Sequence, residues 1–328
     1  STGASNTAVG VSALQLNTTG GYNVAIGVNA LDANTTANHN TAIGHTALSS
    51  NTTGARNIAI GNYAMNASTT GVDNVVIGYE AGDAMTTGEG YNVLIGSYAG
   101  GQLTTGSRAT CIGYNSGSHM TTGLTYNTAL GMASLTLTTT GANNAAIGYG
   151  ALYYNTTGGE NTAVGGYNTM HATTTGFQNC AMGSYALTTN TTGAYNTAIG
   201  RSSMQIQTTA NSNTAVGYNT LASNVTGSAL CAVGTQSLQN NTGSWNTALG
   251  HSAMRLTTSG GSNTAVGSVA MDDNTTGTSN VAVGSSALHS NTTGANNVAI
   301  GTSALWANTT ASYNTAVGVS ALDATTTG

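Results

Sequence analysis

A five-residue phrase, Asn-Thr-Ala-Val-Gly, returns along this chain with so strict a period that few folds can accommodate it. Its glycine recurs from Gly10, Gly27, Gly44, Gly61 and Gly78 onward to Gly301 and Gly318, giving 19 units. Of the 18 spacings, 14 are 17 residues, three are 18 and one is 16. One unit reads Asn-Thr-Ala-Val-Gly-x-x-Ala-Leu-x-x-Asn-Thr-Thr-Gly-x-x, and its positions are numbered 1 to 17, so that the recurring glycine is position 5. A fixed short period marks an array in which each unit is stable only against its neighbours. The unit is too short for a helical repeat, and the 3.6-residue periodicity of helices is missing. It offers instead a short apolar strand at positions 1–4, a glycine turn, a small apolar patch at positions 8–9 and a polar Thr-Thr-Gly corner. The expectation is an all-β fold. Specifically, it is a parallel β-solenoid, or β-roll, of 19 coils with a 17-residue repeat, running as one continuous array over residues 1–328.

Composition removes the competing classes. Of 328 residues only 13 are charged (4 Arg, 9 Asp plus Glu), lysine and proline are absent, and 46 are glycine. So few charges hint at a membrane protein, yet no run approaches the roughly 18 apolar residues a spanning helix needs. Disordered chains are rich in proline and charge. Nucleic-acid binding needs a basic stripe, which the scattered Arg56, Arg108, Arg201 and Arg255 do not supply. The first and last residues fall inside the repeat pattern. That reads as an excerpt of a longer array, or as ends covered by neighbouring subunits.

Departures from the consensus carry more than the consensus. In three consecutive units position 3, otherwise Ala, grows to Val76, Leu94 and Cys111. Position 9, otherwise Leu or Met, shrinks to Gly82, Gly100 and Gly117, and position 12 becomes Met85, Leu103 and Met120. Close-packed interiors tolerate exchanges that conserve volume, so positions 3, 9 and 12 are expected to share one interior. Position 4 is always large and apolar, and position 2 is mostly Thr but becomes Val24, Ile58, Val75, Val93, Val281 and Val298. Neighbours along a strand point to opposite faces, which puts positions 2 and 4 on the other face. Two readings remain for that second face: a contact with another chain, or a kink that folds both faces into one core.

Asn fills position 1 in 17 of 19 units, including Asn6, Asn23, Asn40, Asn57 and Asn74; the exceptions are Ala109 and Leu230. Stacked side-chain amides can hydrogen-bond from coil to coil as a ladder; alternatively Asn merely suits a turn there. Position 15 is Gly except at Ala37, Ala210 and Ala311. A strictly positive φ would make each Ala cost on the order of 1 kcal/mol, so this corner is expected to be only mildly strained.

No chemistry-bearing constellation emerges. Cys111, Cys180 and Cys231 sit in strand positions several units apart, too far for a disulfide within the chain. They are expected to be small buried hydrophobes, with bridges between chains as the sharper option. The six histidines form no column, and no carboxylate recurs beside them to complete a metal site. Calcium-binding solenoids need an Asp at every turn. Paired carboxylates for glycoside cleavage reduce to Asp272-Asp273, which point to opposite sides of one strand. No catalysis, cofactor or metal is therefore expected. Asn-x-Thr at Asn17, Asn34, Asn51, Asn155, Asn190, Asn274, Asn291 and Asn308 is formally a glycosylation signal, although turn chemistry accounts for it without sugars. Aromatics gather at variable positions 6, 7 and 17, among them Tyr63, Tyr79, Tyr98, Tyr114 and Trp245. Exposed Tyr and Trp beside Asn and Ser suit adaptable binding surfaces; they equally suit a cover over backbone edges or packing between chains.

The motif Asn6-Thr7-Ala8-Val9-Gly10, and copies such as Asn40-Thr41-Ala42-Ile43-Gly44, resembles the head repeats of YadA-like trimeric autotransporter adhesins. It is similar, too, to repeat regions of phage and algal-virus tail fibres. The resemblance implies a left-handed β-roll, three chains side by side as a homotrimer, and adhesion at a cell or virion surface; the family's head repeats are typically shorter than 17 residues. The function expected is an extracellular structural or adhesive fibre that self-associates as an oligomer or filament and meets a cell-surface glycan or receptor. It involves no nucleic acid and no membrane insertion by this segment. A tail-fibre shaft is the first alternative. An ice-binding solenoid using the Thr-Thr corners (Thr18-Thr19, Thr35-Thr36, Thr52-Thr53) is the second.

Overall fold

A computed structural model of the chain describes residues 2–87, 90–121 and 126–326. Each 17-residue unit contributes one short strand, and no helix occurs among the described residues. Strands β1 (Thr7–Val9) to β9 (Ala145–Tyr149) belong to one compact unit, Ser1–Asn161, and β10 (Thr162–Tyr167) to β19 (Thr315–Val317) to a second, Thr162–Gly328. Within each unit consecutive strands pair in parallel, with like positions opposite one another: Thr7 faces Val24, Ala8 faces Ala25 and Val9 faces Ile26. The 18-residue spacings do not disturb this register, since Val76 still faces Leu94 and Cys111 faces Ala129. Both units are thus parallel β-solenoids.

The coils are tied together well beyond the strands. At position 9 the Leu31 N–H donates to the Ala47 carbonyl of the next coil, and at position 13 the Thr18 N–H donates to Thr35. Three positions per coil hold a left-handed conformation: 7, 9 and 17, as in Asn29, Leu31 and His39 with φ of 59°, 52° and 62°. A leucine there costs roughly 1–2 kcal/mol relative to the right-handed region. Burial of the Leu31 side chain at 0% exposure offsets it, since full burial of a leucine contributes about 1.5–3 kcal/mol.

The interior is narrow and built from few positions. Ala at positions 3 and 8, Leu or Met at position 9, and Asn at positions 1 and 12 are buried in coil after coil, for example Ala42, Ala47, Leu48, Asn40 and Asn51. Positions 2 and 4 point outward; the strand Val298–Ile300 is half-exposed, buried and exposed in turn. No kink folds the second face into the core, so one of the two readings left open by the sequence is excluded. A three-residue strand with an Ala-lined inner side leaves no room for both faces within one coil.

Glycine at position 15 is needed for a reason other than the one its residue type signals. Gly141, for instance, has no left-handed φ, but a Cβ there would lie 3.0 Å from Asn155 Nδ2 and 3.1 Å from the Gly158 carbonyl carbon. Crowding by the next coil, not backbone handedness, favours glycine here, and Ala37, Ala210 and Ala311 are buried at the same position in other coils.

The asparagines at position 1 form a ladder, interrupted at Ala109 and Leu230. Asn40 Oδ1 accepts the Asn57 N–H at 2.9 Å and Asn57 Nδ2 at 3.1 Å; Asn57 Oδ1 in turn accepts the Asn74 N–H at 3.1 Å. Asn57 Nδ2 also donates to the Gly71 carbonyl at 2.7 Å, across the interior. Asn6 and Asn23 make the same contacts at the start of the column. Because Asn57 is fully buried, Asn57→Ala leaves the Gly71 carbonyl and the Asn74 N–H without partners or water. Each such group costs about 1–3 kcal/mol. Amide exchange in residues 57–74 is expected to accelerate accordingly, while residues several coils away keep their protection.

Candidate functional site

Three surfaces and one interior cluster bear on function. The cluster lies where the sequence exchanges volume, in β5 (Val75–Ile77), β6 (Val93–Ile95) and β7 (Thr110–Ile112) and the turns that follow them. Gly82, Gly100 and Gly117 take the left-handed φ of position 9, at 53°, 58° and 57°. A Cβ on Gly82 would stand 2.9 Å from Leu94 Cδ1, 3.0 Å from Met85 Sδ and 3.4 Å from Val76 Cγ1. One on Gly100 would meet Leu94 at 2.9 Å, and one on Gly117 would meet Cys111 Sγ at 2.7 Å. Val76, Leu94, Cys111, Leu103 and Met120 are fully buried and Met85 nearly so. The space vacated at position 9 is therefore filled by positions 3 and 12. Burial pushes the Cys111 thiol up to about 12, and its Sγ lies 3.8 Å from Met120 Sδ, so it acts as an apolar atom. Cys180 and Cys231 are half-exposed, unbridged, and on the outer face at position 2.

That outer face is the first surface. Every strand is free of charge at positions 2–4, and aliphatic side chains follow one another at position 4: Met182, Ile199, Val233, Leu249, Val283 and Ile300 are all exposed. Scattered apolar residues on a surface need no explanation, but a continuous patch does. In the second unit ten strands about 4.8 Å apart extend this column over roughly 45 Å.

The second surface is the Thr corner. Position-13 hydroxyls are already engaged: Thr18, Thr35, Thr52 and Thr292 Oγ1 each donate to the carbonyl of the threonine one coil on, at 2.8–3.1 Å. The position-14 threonines, such as Thr36 and Thr53, stand exposed, and so do some at position 13, Thr18 and Thr258 among them. Beneath this corner the sequon asparagines are turned inward. Asn34, Asn51, Asn155, Asn190, Asn274, Asn291 and Asn308 are fully buried, and each Nδ2 donates to the carbonyl three residues on. Asn17 does the same from a half-buried position. They also link coil to coil, as Asn51 Nδ2 to Asn34 Oδ1 at 3.1 Å. A nitrogen so held is closed to glycan transfer in the folded chain. This second amide ladder escaped the sequence reading; its signal was the recurrence of Asn at position 12, masked by the adjacent Thr that makes it look like a sequon.

The third surface carries the aromatics. Tyr79, Tyr98 and Tyr114 pack edge to face in sequence, with ring centroids 5.5 and 6.0 Å apart, and Tyr63 meets His45 at 5.3 Å. Tyr63, at 37% exposure, and its neighbours thus cover one another from coil to coil; Trp245, at 71%, is the most open of the five. A hydrogen bond to Glu80, then that carboxylate's charge, pushes the Tyr79 hydroxyl up to about 12. Position 17 makes a parallel column. Tyr22 stacks on His39 at 5.0 Å, Arg56 forms a two-point ion pair with Asp73, and Arg108 lies over the Tyr91 and Tyr126 rings. The Arg56 hydrogen bond holds the Asp73 carboxyl below its ordinary range. What that exposed pair contributes is therefore present at neutral pH and disappears only as pH falls through the lowered value.

These features define a class: a parallel β-solenoid repeat protein, sealed inside by alanine, leucine and two amide ladders, with an uncharged sheet face turned outward, aliphatic at position 4 and mostly threonine at position 2. No family model and no curated protein sequence matches the chain.

Proposed function

We propose that this chain is a structural and adhesive fibre protein working outside the cell, on a cell or virion surface, without catalysis. Copies associate side by side through the aliphatic face of their strands. The observation that carries this reading is the unbroken, chargeless column at positions 2 and 4, since burying it is the favourable step left over once the single chain has folded. Three chains is the number that the YadA-like resemblance implies, and a tail-fibre shaft would use the same face. The ice-binding alternative is weakened because the position-13 hydroxyls are already committed to carbonyls of the next coil, which leaves one threonine column instead of two to meet a ligand through its hydroxyls.

The mass of the purified chain in solution tests the proposal. A multiple of the single-chain mass is expected, falling to one chain when Ile199, Val233 and Ile300 are replaced together by glutamate. A single-chain mass for the unaltered protein at micromolar concentration would overturn the reading.

A further inference from the structure

One cleft in the first unit is built differently from the rest of the surface. It crosses the three coils of the glycine exchange and has a volume of about 200 Å³, below the roughly 300–1,000 Å³ of pockets that enclose drug-sized ligands. That is room for a single ring. Its wall consists of the position-7 residues Glu80, Tyr98 and Asn115, whose left-handed φ values of 50°, 62° and 56° all turn their side chains alike. Its floor is Gly101, which leaves a gap at position 10 between Asp83 and Ser118.

Hydrogen bonds reach the carboxylates of this cleft, from the Tyr79 hydroxyl to Glu80 and from the backbone of Asp83 and Ala84 to Asp83, but no cationic side chain among the described residues does. Asp83 and Glu80 are carboxylates of one coil, and burial, followed by the charge of Glu80, raises Asp83 from its ordinary value. The chain has no lysine, and its arginines are engaged elsewhere: Arg56 with Asp73, Arg255 with Asp272, Arg108 with Tyr91 and Tyr126, and Arg201 over Tyr218. His119, at the far rim, is turned to Ser118 at 3.1 Å. No group of three or more His, Cys, Asp or Glu among the described residues could hold a metal ion. A cation that pairs with these carboxylates is therefore better supplied by an organic ammonium than by a metal ion. The rest of the lining, Gln102 and Asn115 with the Tyr98 ring, offers amide donors and acceptors and an aromatic wall. Hydroxyl groups on a ring match such a lining, whereas the bare methylene stem of a lysine would not.

We propose that this cleft binds a sugar carrying a free primary amine, a hexosamine of the glucosamine type, with the ammonium at Asp83 and Glu80 and the ring against Tyr98. The proposal deepens the adhesive reading by naming a ligand class, but stands apart from self-association. A chain that oligomerises and ignores amino sugars keeps the fibre proposal and loses this one; a chain that binds them as a single copy does the reverse.

Calorimetric titration of the full chain with a glucosamine trisaccharide, its fully N-acetylated counterpart and Nα-acetyl-lysine amide provides the test. Acetylation removes the charge and keeps the rings. The free-amine sugar is expected to bind at least about tenfold more tightly than the acetylated one, and more weakly as salt is raised. Gly101→Leu is expected to block the cleft with the fold intact, because a Cβ there meets nothing closer than 3.4 Å. Asp83→Asn, which keeps shape and loses charge, is expected to weaken binding by about tenfold or more, while Trp245→Ala changes nothing. The proposal is overturned if both sugars bind alike, if the free-amine sugar fails to bind at millimolar concentration, or if Gly101→Leu or Asp83→Asn leaves affinity unchanged. Lysine amide binding as tightly as the amino sugar would overturn it as well, by assigning the cleft to a protein side chain.

Discussion

Gly44→Ala is expected to cost about 2–6 kcal/mol, enough to open the coils around it. Two independent effects combine. The backbone of Gly44 holds a φ of +137°, a region essentially reserved for glycine, where another residue costs about 1–3 kcal/mol. A Cβ would also lie 2.6 Å from the carbonyl carbon of Gly61 and 3.1 Å from the Asn62 nitrogen, and overpacking of this kind costs typically about 1–3 kcal/mol. The obstructing atoms are backbone of the next coil, which cannot yield without moving the corresponding Gly78. Gly101→Ala serves as the control, with ordinary contacts and no left-handed φ, and is expected to change stability by less than about 0.5 kcal/mol. Stability in stacked repeats is a sum of unit and neighbour terms, so amide exchange read coil by coil is the appropriate measurement. Loss of protection is expected in the coils holding Gly27, Gly44 and Gly61. Equal exchange in both variants would contradict the steric account.

The second large effect is a coupling. Leu94→Ala empties a site of 0% exposure and is expected to cost about 2–5 kcal/mol. Gly100→Leu places a Cβ 2.9 Å from two Leu94 carbons, adding overpacking of about 1–3 kcal/mol to the left-handed strain that Leu48 already bears elsewhere at φ 52°. The double substitution restores Ala at position 3 and Leu at position 9, with Leu103 still at position 12. It is expected to be less destabilising than the sum of the two single changes, by about 0.5–3 kcal/mol. Denaturation of the three variants beside the parent gives the cycle, and strict additivity would show that the two positions do not share space.

Which parts of this architecture could be read from residues alone follows from whether a signal is local or relational. The strand at positions 2–4 was legible because β-branched residues alternate with Ala beside a glycine. The convergence of Val76, Leu94 and Cys111 with Gly82, Gly100 and Gly117 was legible because volume was lost and gained in the same units. Left-handed Leu31 and Leu48 were not legible. Leucine has no preference for that conformation, and only burial and the bond to the next coil make it tolerable. The absence of a left-handed requirement at position 15 was legible from Ala37, Ala210 and Ala311, but the crowding that favours glycine at Gly141 was not, because it comes from a neighbouring coil. For the candidate site, the Tyr79–Tyr98–Tyr114 group was visible as a concentration of aromatics. The cleft beside it was not, since Gly101 is conspicuous only when Asp83 and Ser118 are seen on either side of it.

The amide ladders have a consequence for how such a chain changes length. Away from Ala109 and Leu230, each Asn at position 1 addresses the coil before it and the coil after it through like bonds, so an inserted or deleted stretch of one full turn hands each of those amides an equivalent neighbour. A stretch of any other size strands one rung on each side of the scar. Gene duplication and loss can therefore lengthen or shorten this protein in whole turns at little energetic cost, and fractional changes are confined to the corners, where a bulge does not touch the rungs.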